Sequence, residues 1–572
     1  MAHDSTGLPV STSLARFRRA RRGLHALCAA LAGALAVALA LNAYSNAFGE
    51  LPASDECNFL HESCSIAEEG GLIGFLSNCF RGAYPFDNRT PGLPLLGSFI
   101  AERSLNAVHP FRALQAVLAA LAVGLVYFGA ARAASPRAGL AAATLCAACM
   151  PWTHLAAKIA AEPLIYALTF VAWLLLSGAW RPRTHAFWAG LAVGAAYLFK
   201  ATITVLLAAW VLAWIADRAW QRWRKTPEPP AAVWRERLRA LGLFVLGALV
   251  LAWPVLINNT LRYGSPLHNR NAQFFWLPYY DARLLDDGSA GPLRFIEEQG
   301  VGEIFARLGD GLALQAGTLL SLFGGSSAPW ALLAPLVLVL AGVGLLTDRR
   351  RFRKLFALFF VLLVVILFAW WAKFTSILRF TAVLTPLLAW YAVQGAAFGL
   401  RRTRAALLRR ERHKLRFALA FVLALAATAL LARGVRGTGV RSPWEPLEAP
   451  PKFAYLRDWL LENPVHRRRV TLVTSYMRPH YDLLWLLPQP YAIHLVPPYE
   501  TWSEFEGFAR ERGARYLLIE LHSWREREPL LRPYFRREAN GWPNFDLPGW
   551  HPVAADPHPP GPDYLMFERV QP

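Results

Sequence analysis

The chain has 572 residues, 55% of them hydrophobic and 17% charged, and its formal net charge is +21. Its apolar residues gather into runs of about 17–25, the length a helix needs to cross roughly 30 Å of hydrocarbon, which excludes an ordinary soluble protein. The positive charge does not indicate nucleic-acid binding, because Lys and Arg lie mainly in short connections between apolar runs, where they set membrane topology.

The apolar runs predict a polytopic α-helical membrane protein with about 11 transmembrane helices. The first run follows a basic N-terminal segment, residues 1–23. It fits an uncleaved anchor better than a signal peptide, because it is long and no small-x-small cleavage site ends it. The predicted spans are residues 24–48, 110–131, 138–152, 163–180, 184–199, 201–215, 241–257, 328–346, 355–371, 379–400 and 417–431.

Charge predicts the orientation of these spans. If the N-terminus is cytoplasmic and the spans alternate, every later short Lys/Arg cluster also falls inside, as the positive-inside rule requires. Those clusters are residues 132–137, 181–183, 217–239, 349–354 and 401–416. The membrane domain is thus predicted over residues 24–432, with outer loops at 49–109 and 258–310 and an external C-terminus. An interfacial helix that begins within the second of these loops is predicted at residues 303–322.

Three of the six cysteines, Cys57, Cys64 and Cys79, fall in the first outer loop. Their spacing does not form a zinc pattern. If the loop faces an oxidising compartment, they allow one disulfide with one free thiol.

From about residue 433 the pattern changes to short apolar runs that alternate with amphipathic stretches. Strands are predicted at 470–474, 491–496, 515–520, 550–554 and 564–570, and helices at 478–487 and 501–512. This order predicts a small extracytoplasmic α/β domain over residues 433–572 with parallel βαβ character. It contains no glycine-rich phosphate loop, so we assign it no cofactor.

The predicted topology gathers carboxylates and cations at the outer face of the membrane. A carboxylate can take the proton of an attacking hydroxyl, and cations can hold a phosphate as it leaves. Such a pattern is typical of group transfer from a lipid-anchored phosphate. The charged set is Asp55, Glu56, Asp87, Arg89, Lys158, Glu162, Lys200, Arg262, His268, Arg270, Lys373 and Arg379.

Most of these residues also have a simpler structural explanation. Asp55 and Glu56 can end the first span in water, and Lys200 can extend to the membrane interface. Glu162 precedes Pro163 and suits a helix start. Arg379 can mark the end of a span, Asp87 can form a turn, and the loop after residue 258 can be ordered by His268 and Arg270. The aromatic residues that could line a sugar site can instead belong to the aromatic belt at the membrane interface; they are Trp276, Tyr279 and Tyr280.

Several short motifs, taken in order, give the chain a family likeness. They are Ser54-Asp55-Glu56, residues 89–95 (RTPGLPL), 135–140 (SPRAGL), 161–164 (AEPL), 190–200 (GLAVGAAYLFK), and Arg379-Phe380 with Pro386. With these motifs, residues 20–435 resemble the GT-C superfamily of integral-membrane glycosyltransferases, especially its protein O-mannosyltransferase and aminoarabinose-transferase branch. The chain departs from relatives that carry Lys-Pro-Pro before the second span, where it has Arg89-Thr90-Pro91.

The resemblance implies an inverting hexosyl- or pentosyltransferase that uses a polyprenyl-phosphate sugar. Asp55, with Glu56 beside it, matches the family's catalytic acid of the first outer loop, and Glu162 matches the acid of the second. Lys200 matches the lysine that approaches the donor phosphate in relatives, and Arg379 matches a basic residue near the head of a late span. With Arg89 and Arg270, they are the candidates for contact with the donor phosphate. The residues expected to line the substrate site are Asp87, His268, Tyr279 and Tyr280. No cofactor is expected, and the resemblance implies a transfer that is either metal-independent or weakly dependent on a divalent cation.

The predicted location is the plasma (inner) membrane, with the active site and C-terminal domain outside. The expected partners are the bilayer, a polyprenyl-phosphate sugar donor, and a lipid, glycan or protein acceptor of the cell envelope, without nucleic acid. Three other functions stay open: a flippase for a lipid-linked glycan, a ligase or polymerase that transfers a preassembled glycan, and a non-enzymatic assembly protein that binds through the C-terminal α/β domain. A flippase would need charged residues along a path through the spans.

Overall fold

The structure is a computed structural model. It describes residues 10–47, 52, 55–85, 90–104, 107–156, 158–178, 182–225, 231–277, 290–323, 328–372, 377–406, 459, 471–474, 492–496, 499, 501–521, 529–537, 543–555 and 564–570.

The described chain up to residue 406 is helical almost throughout. Its helices are α1 (Val10–Ala47), α2 (Asp55–Glu68), α3 (Gly71–Phe80), α4 (Gly92–Gly97), α5 (Val108–Ala133), α6 (Pro136–Ala148), α7 (Met150–Ala156), α8 (Glu162–Leu176), α9 (Pro182–Phe199), α10 (Ile203–Trp223), α11 (Ala231–Tyr263), α12 (Arg270–Phe274), α13 (Pro292–Leu322), α14 (Ala328–Thr347), α15 (Arg351–Trp370), α16 (Leu378–Thr381) and α17 (Thr385–Ala406).

Helices occupy most of each predicted span between residues 24 and 400. In the described part of the chain, six helices are long and apolar enough to cross a membrane: Gly23–Asn42, Val108–Ala133, Ile203–Trp223, Arg235–Tyr263, Arg351–Trp370 and Leu378–Arg401. Shorter apolar helices accompany them at Glu162–Leu176, His185–Phe199 and Ala334–Thr347. The span predicted at 417–431 lies outside the described residues, so the count of about 11 spans and the cytoplasmic N-terminus stay predictions.

One predicted span is interrupted. Residues 138–152 were predicted as a single helix, but α6 ends at Ala148 and α7 begins at Met150. Cys149 between them has an extended backbone, with φ −69° and ψ 128°. Pro151, the second residue of α7, contributes to this break, because proline has no N–H with which to continue the helical hydrogen bonds of α6.

Two pairs of helices cross at glycines, which lets their backbones approach closely. Gly190 of α9 faces α11 so closely that a Cβ there would lie 1.9 Å from the carbonyl oxygen of Phe244. Gly247 of α11 meets the carbonyl oxygen of Phe187 in the same way, at 2.2 Å. Gly395 of α17 allows the same kind of close backbone approach to α14. The first crossing fixes the position of α9, and therefore of the residues just after it.

The helix predicted at 303–322 is part of α13, which bends at Gly300 (φ 79°). After the bend one face of α13 is buried, through Arg307, Gly311, Gln315, Thr318 and Leu322. A Cβ at Gly311 would lie 1.9 Å from the carbonyl oxygen of Ala369, so this face packs tightly on α15. Its placement at the membrane interface stays a prediction.

The disulfide that the sequence allowed among Cys57, Cys64 and Cys79 is not formed in this structure, where all three are buried free thiols. Cys57 and Cys64 both lie on α2, seven residues apart. That separation is about 10 Å along a helix, beyond the roughly 7 Å limit between the Cα atoms of a disulfide. The thiol of Cys57 donates instead to the carbonyl oxygen of Pro52, at 3.3 Å.

The C-terminal region contains a strand at each of the five places where the sequence predicts one. The strands are β1 (Thr471–Thr474), β2 (Ala492–Leu495), β3 (Ala514–Glu520), β4 (Phe535–Arg537), β5 (Pro543–Phe545), β6 (Trp550–Ala555) and β7 (Tyr564–Arg569). The main sheet has the order β2-β1-β3-β7-β6. Strands β2, β1 and β3 are parallel, as βαβ connections require, whereas β7 runs antiparallel to both β3 and β6.

One helix of this region, α18 (Trp502–Glu511), is described. It begins with a capping box, in which the Thr501 side chain and the Glu504 side chain each accept from the other's backbone N–H. Its buried side chains include Phe505, which packs in a core with Leu517 and Phe567 of the sheet. The helix predicted at 478–487 lies outside the described residues, and an extracytoplasmic domain starting at residue 433 stays a prediction.

Candidate active site

A cavity of about 680 Å³ lies where the connections between several helices meet. Its lining comes from the start of α2, the segment before α8, the turn between α9 and α10, the end of α11 with the chain that follows, and the segments around Trp371 and Arg379. Most of the lining is apolar, but three carboxylates and three cations also reach it: Asp55, Glu56, Glu162, Lys158, Lys200 and Arg379.

Asp55 is the first residue of α2, where the helix dipole favours a carboxylate. Its Oδ2 lies 2.6 Å from an Nη of Arg379, which is 324 residues further along the chain. The two side chains are 36% and 34% exposed, so solvent or a substrate can reach this ion pair from the cavity.

Glu162 and Lys200 form a second pair, with 2.7 Å between Oε1 and Nζ. Glu162 begins α8 and is 8% exposed, whereas Lys200 is 27% exposed to the cavity. The Nζ of Lys200 lies 4.4 Å from the ring centroid of Phe380, and the guanidinium carbon of Arg379 lies 4.7 Å from the same centroid. Burial lowers the pKa of the Lys200 ammonium, and the Glu162 carboxylate limits that fall.

Glu56 lines the cavity but is 5% exposed, and its carboxylate is held by the surrounding protein. Its Oε1 accepts a hydrogen bond from the backbone N–H of Ile159 at 2.9 Å and lies 3.9 Å from an Nη of Arg112. These contacts tie the start of α2 to the segment before α8. They suit a positioning role for Glu56, and its expected catalytic role stays a prediction.

Sequence reasoning missed Arg112. It lies one turn inside α5 and is 3% exposed. The sequence did carry a signal, because Arg112 is a charged residue within a predicted span, and a buried cation in an apolar helix needs a partner. Lys158 was placed on the outer face without a role; it lines the cavity beside Ile159.

The other predicted site residues are placed less completely. His268 lines the cavity, and its ring stacks on Tyr263 with 3.9 Å between centroids. Arg270 begins α12, but its side chain is outside the described part. Asp87, Arg89, Tyr279 and Tyr280 also lie outside the described residues, as does Lys373.

Four aromatic side chains, Phe275, Trp276, Trp371 and Phe380, line one part of the cavity, and we call them the aromatic wall. Phe275 lies 5.7 Å from Trp276 and 6.4 Å from Trp371, between ring centroids. Trp371 lies 6.0 Å from Phe380, edge to face. The wall thus ends at the ring that Lys200 and Arg379 both approach.

Among the described residues, no group of three or more His, Cys, Asp or Glu side chains is arranged to hold a metal ion. The carboxylates of Asp55 and Glu162 are each engaged by a cation. The described side chains therefore do not fit a divalent metal site, and no chemical step is derived through one.

Residues 89–256 match the family model of dolichyl-phosphate-mannose-protein mannosyltransferase. No curated protein sequence matches the chain significantly. Among solved structures, the chain is similar to the Archaeoglobus fulgidus oligosaccharyltransferase tethered with an acceptor peptide, with a TM-score of 0.54 and 14% identity over 91% of this chain and 74% of that chain. It is also similar to that enzyme, AglB, in complex with an inhibitory peptide and a dolichol-phosphate (TM-score 0.53, 15% identity, 91% and 74% covered).

A third similar structure is ArnT from Cupriavidus metallidurans bound to undecaprenyl phosphate, with a TM-score of 0.50 and 14% identity over 93% of this chain and 97% of that chain. These likenesses show the fold. The chain has the GT-C fold that its motifs predicted, and it is a multi-pass membrane protein.

Proposed function

We propose that the chain is a glycosyltransferase that moves a sugar from a polyprenyl-phosphate donor to a hydroxyl of a cell-envelope lipid, glycan or protein, at the outer face of the plasma membrane and with inversion. One observation carries the proposal. A single cavity holds the Asp55–Arg379 and Glu162–Lys200 pairs around Phe380 in a GT-C fold. Similar structures that were solved with dolichol-phosphate or undecaprenyl phosphate support a donor of that class.

In the proposed reaction Asp55 is the general base. Its carboxylate takes the proton of the acceptor hydroxyl, and that oxygen attacks the anomeric carbon of the donor. The new C–O bond forms as the bond from the anomeric carbon to the phosphate oxygen breaks. The electron pair of the broken bond leaves with polyprenyl phosphate, and attack from the opposite side inverts the anomeric centre.

Lys200 and Arg379 are the proposed phosphate ligands. Both cations approach the same face of the cavity at Phe380. A guanidinium has five N–H donors, so Arg379 can keep its hydrogen bond to Asp55 and still donate to a phosphate oxygen. Because the departing phosphate is a stable anion beside cations, no strong general acid is required.

The remaining predicted residues are given supporting roles. Glu162 holds the Lys200 ammonium in the cavity through their 2.7 Å contact, and Glu56 fixes the start of α2. We propose that Arg89 and Arg270 add phosphate contacts, and that His268, Asp87, Tyr279 and Tyr280 line the substrate site.

A second candidate is a ligase that transfers a preassembled glycan. The likeness to an oligosaccharyltransferase favours it, and it would use the same cavity chemistry. A lipid-linked glycan flippase is the third alternative. It receives less support, because the described cavity charges form pairs around one pocket rather than a path along the spans.

The test is transfer of labelled sugar by purified protein in lipid nanodiscs. Hexosyl and pentosyl polyprenyl phosphates, a lipid-linked oligosaccharide and a nucleotide sugar are supplied as separate donors, each with and without a chelator. The proposal expects transfer and stoichiometric polyprenyl phosphate from a monosaccharide donor, with at most a small effect of the chelator. Transfer from the oligosaccharide alone would favour the ligase. No transfer from any donor by folded protein would contradict the proposal.

A further inference from the structure

Arg307 of α13 is one of the most buried charged side chains in the described part of the chain, at 1% exposure. Its Nε donates to the carbonyl oxygen of Trp370 at 2.9 Å, and one Nη donates to the carbonyl oxygen of Leu277 at 2.8 Å. Burying a cation is costly unless its hydrogen bonds are made. Arg307 is therefore tolerated at this buried position because of the contacts that its guanidinium makes.

Those contacts join three separate segments. Besides its two hydrogen bonds, the guanidinium lies 4.5 Å from the ring centroid of Trp370 and 5.5 Å from that of Phe295. Trp370 in turn donates from Nε1 to the carbonyl oxygen of Phe275, at 2.6 Å. The rings of Phe275 and Trp370 are nearly parallel, with 5.8 Å between centroids. Arg307 thus clamps the segment Phe275–Leu277 onto α13 and the end of α15.

The clamped segment faces the cavity. Phe275, Trp276 and Leu277 line it from one side of the clamp, and Trp371, the neighbour of Trp370, lines it from the other. Arg307 is not among the lining residues. It can therefore act on the cavity only indirectly, through the segments that it contacts.

The position of the wall suggests what it binds. The wall ends at Phe380, the ring that the two proposed phosphate ligands approach. In a polyprenyl-phosphate sugar, the sugar ring is joined directly to the phosphate. A donor whose phosphate contacts Lys200 and Arg379 therefore places its sugar within reach of the aromatic wall. Aromatic side chains offer a flat apolar surface for the C–H face of a sugar ring.

We propose that Arg307 is a positioning residue that holds the aromatic wall in place to pack against the sugar of the donor. This inference rests on the proposed function. It also explains why the residue is an arginine: a guanidinium is a planar fork that can donate to two carbonyl groups while it stacks on a ring, whereas lysine is a single flexible point charge.

The first experiment measures donor KM, acceptor KM and kcat for Arg307→Met and Arg307→Lys. Arg294→Met is the matched control, because Arg294 lies on the same helix in an exposed pair with Glu298. A displaced wall weakens packing against the sugar, so donor KM should rise about tenfold in both Arg307 variants, with less change in acceptor KM and kcat. Wild-type donor KM in an active Arg307 variant would overturn the proposal.

A double-mutant cycle separates positioning from general damage to the fold. Trp276→Leu removes part of the wall and should itself raise donor KM. If Arg307 acts through the wall, the variant with both Arg307→Lys and Trp276→Leu should be no worse than the worse single variant. Multiplied effects of the two substitutions would contradict the proposal.

Amide hydrogen exchange tests the clamp without any enzymatic assay. Exchange at Phe275 and Leu277 should be faster in the Arg307 variants than in wild type, and unchanged in Arg294→Met. If Arg307→Met does not fold, Arg307→Lys and Trp276→Leu still decide the outcome. If wild type transfers no sugar, the proposed function fails, while unchanged exchange in folded Arg307 variants separately refutes the clamp.

Discussion

At the scale of single residues, the site depends on pairing across long sequence distances. Asp55 meets Arg379 and Glu162 meets Lys200, so each carboxylate has a cation beside it in the cavity. The sequence could indicate the residues, because the predicted topology gathers carboxylates and cations at one face of the membrane and the ordered motifs contain these four residues. It could not indicate which acid pairs with which cation, because that depends on how the helices pack.

The Glu162–Lys200 pair predicts opposite behaviour for stability and activity. Glu162→Gln or Lys200→Met alone leaves one charge unpaired in a mostly buried site, and each should lower stability by about 1–3 kcal/mol, less than for a fully buried pair because Lys200 is partly exposed. The double variant should recover most of that loss but remain inactive, because the phosphate contact is gone. Thermal unfolding in detergent beside the transfer assay checks this.

Glu298→Gln is the control for this series, because it breaks an exposed pair with Arg294. Its unfolding temperature should match wild type. A double variant no more stable than Glu162→Gln would contradict the assignment of Glu162 and Lys200 as a mutually dependent pair.

The outer-loop cysteines give a second prediction at this scale. Burial raises the pKa of the Cys64 thiol to about 11, so it should be almost wholly protonated and unreactive at pH 7.5. Native protein should therefore take up little maleimide at Cys57, Cys64 and Cys79, whereas unfolded protein without reductant should be labelled at all three. Protection of two of them after unfolding would show a disulfide instead.

At the scale of elements, the positions of the helices could be predicted from the apolar runs, but the places where the helices cross could not. Spans were predictable because an apolar run of sufficient length has few other stable solutions in lipid. One proline within an otherwise apolar run, Pro151, contributes to the break at Cys149. The α9–α11 crossing depends on which glycines face each other, and a single sequence does not show this.

Two alanine substitutions in α11 test that crossing. A Cβ at Gly247 would lie 2.2 Å from the Phe187 carbonyl oxygen, whereas nothing lies within 4 Å of one at Gly242. Gly247→Ala should lower stability by about 1–3 kcal/mol and reduce activity, because α9 leads to Lys200. Gly242→Ala should be neutral or raise stability by about 0.5–1 kcal/mol. Equal unfolding temperatures for the two variants would contradict the close approach.

At the scale of the whole molecule, fold class was the most predictable property. Ordered motifs from Asp55 to Arg379 pointed to the GT-C fold, and the structural likenesses agree. The aromatic wall was only partly predictable: Trp276 was a candidate, but Trp371 and Phe380 come from distant segments. Their role depends on contacts such as those of Arg307, which in the sequence is one charge among several in the predicted second outer loop.

Orientation can be tested on the intact chain. An external C-terminus predicts that alkaline phosphatase fused after residue 572 is active and that a fluorescent protein fused there stays dark, because the first needs an oxidising compartment and the second fails to mature after export. A fusion after residue 225, within a predicted inner connection, should give the reverse result. Reversed results for the two positions would contradict the positive-inside assignment.

The most direct test of the central claim compares Asp55→Asn with wild type in a single-turnover transfer assay with the polyprenyl-phosphate sugar that wild type uses. Glu68→Gln is the matched control, because it changes an acid of the same helix that pairs with Arg103 away from the cavity. Loss of the base should slow transfer by about 10²–10⁴-fold while unfolding temperature and donor binding change little, with Glu68→Gln near wild type. Transfer at the wild-type rate by Asp55→Asn would contradict the account.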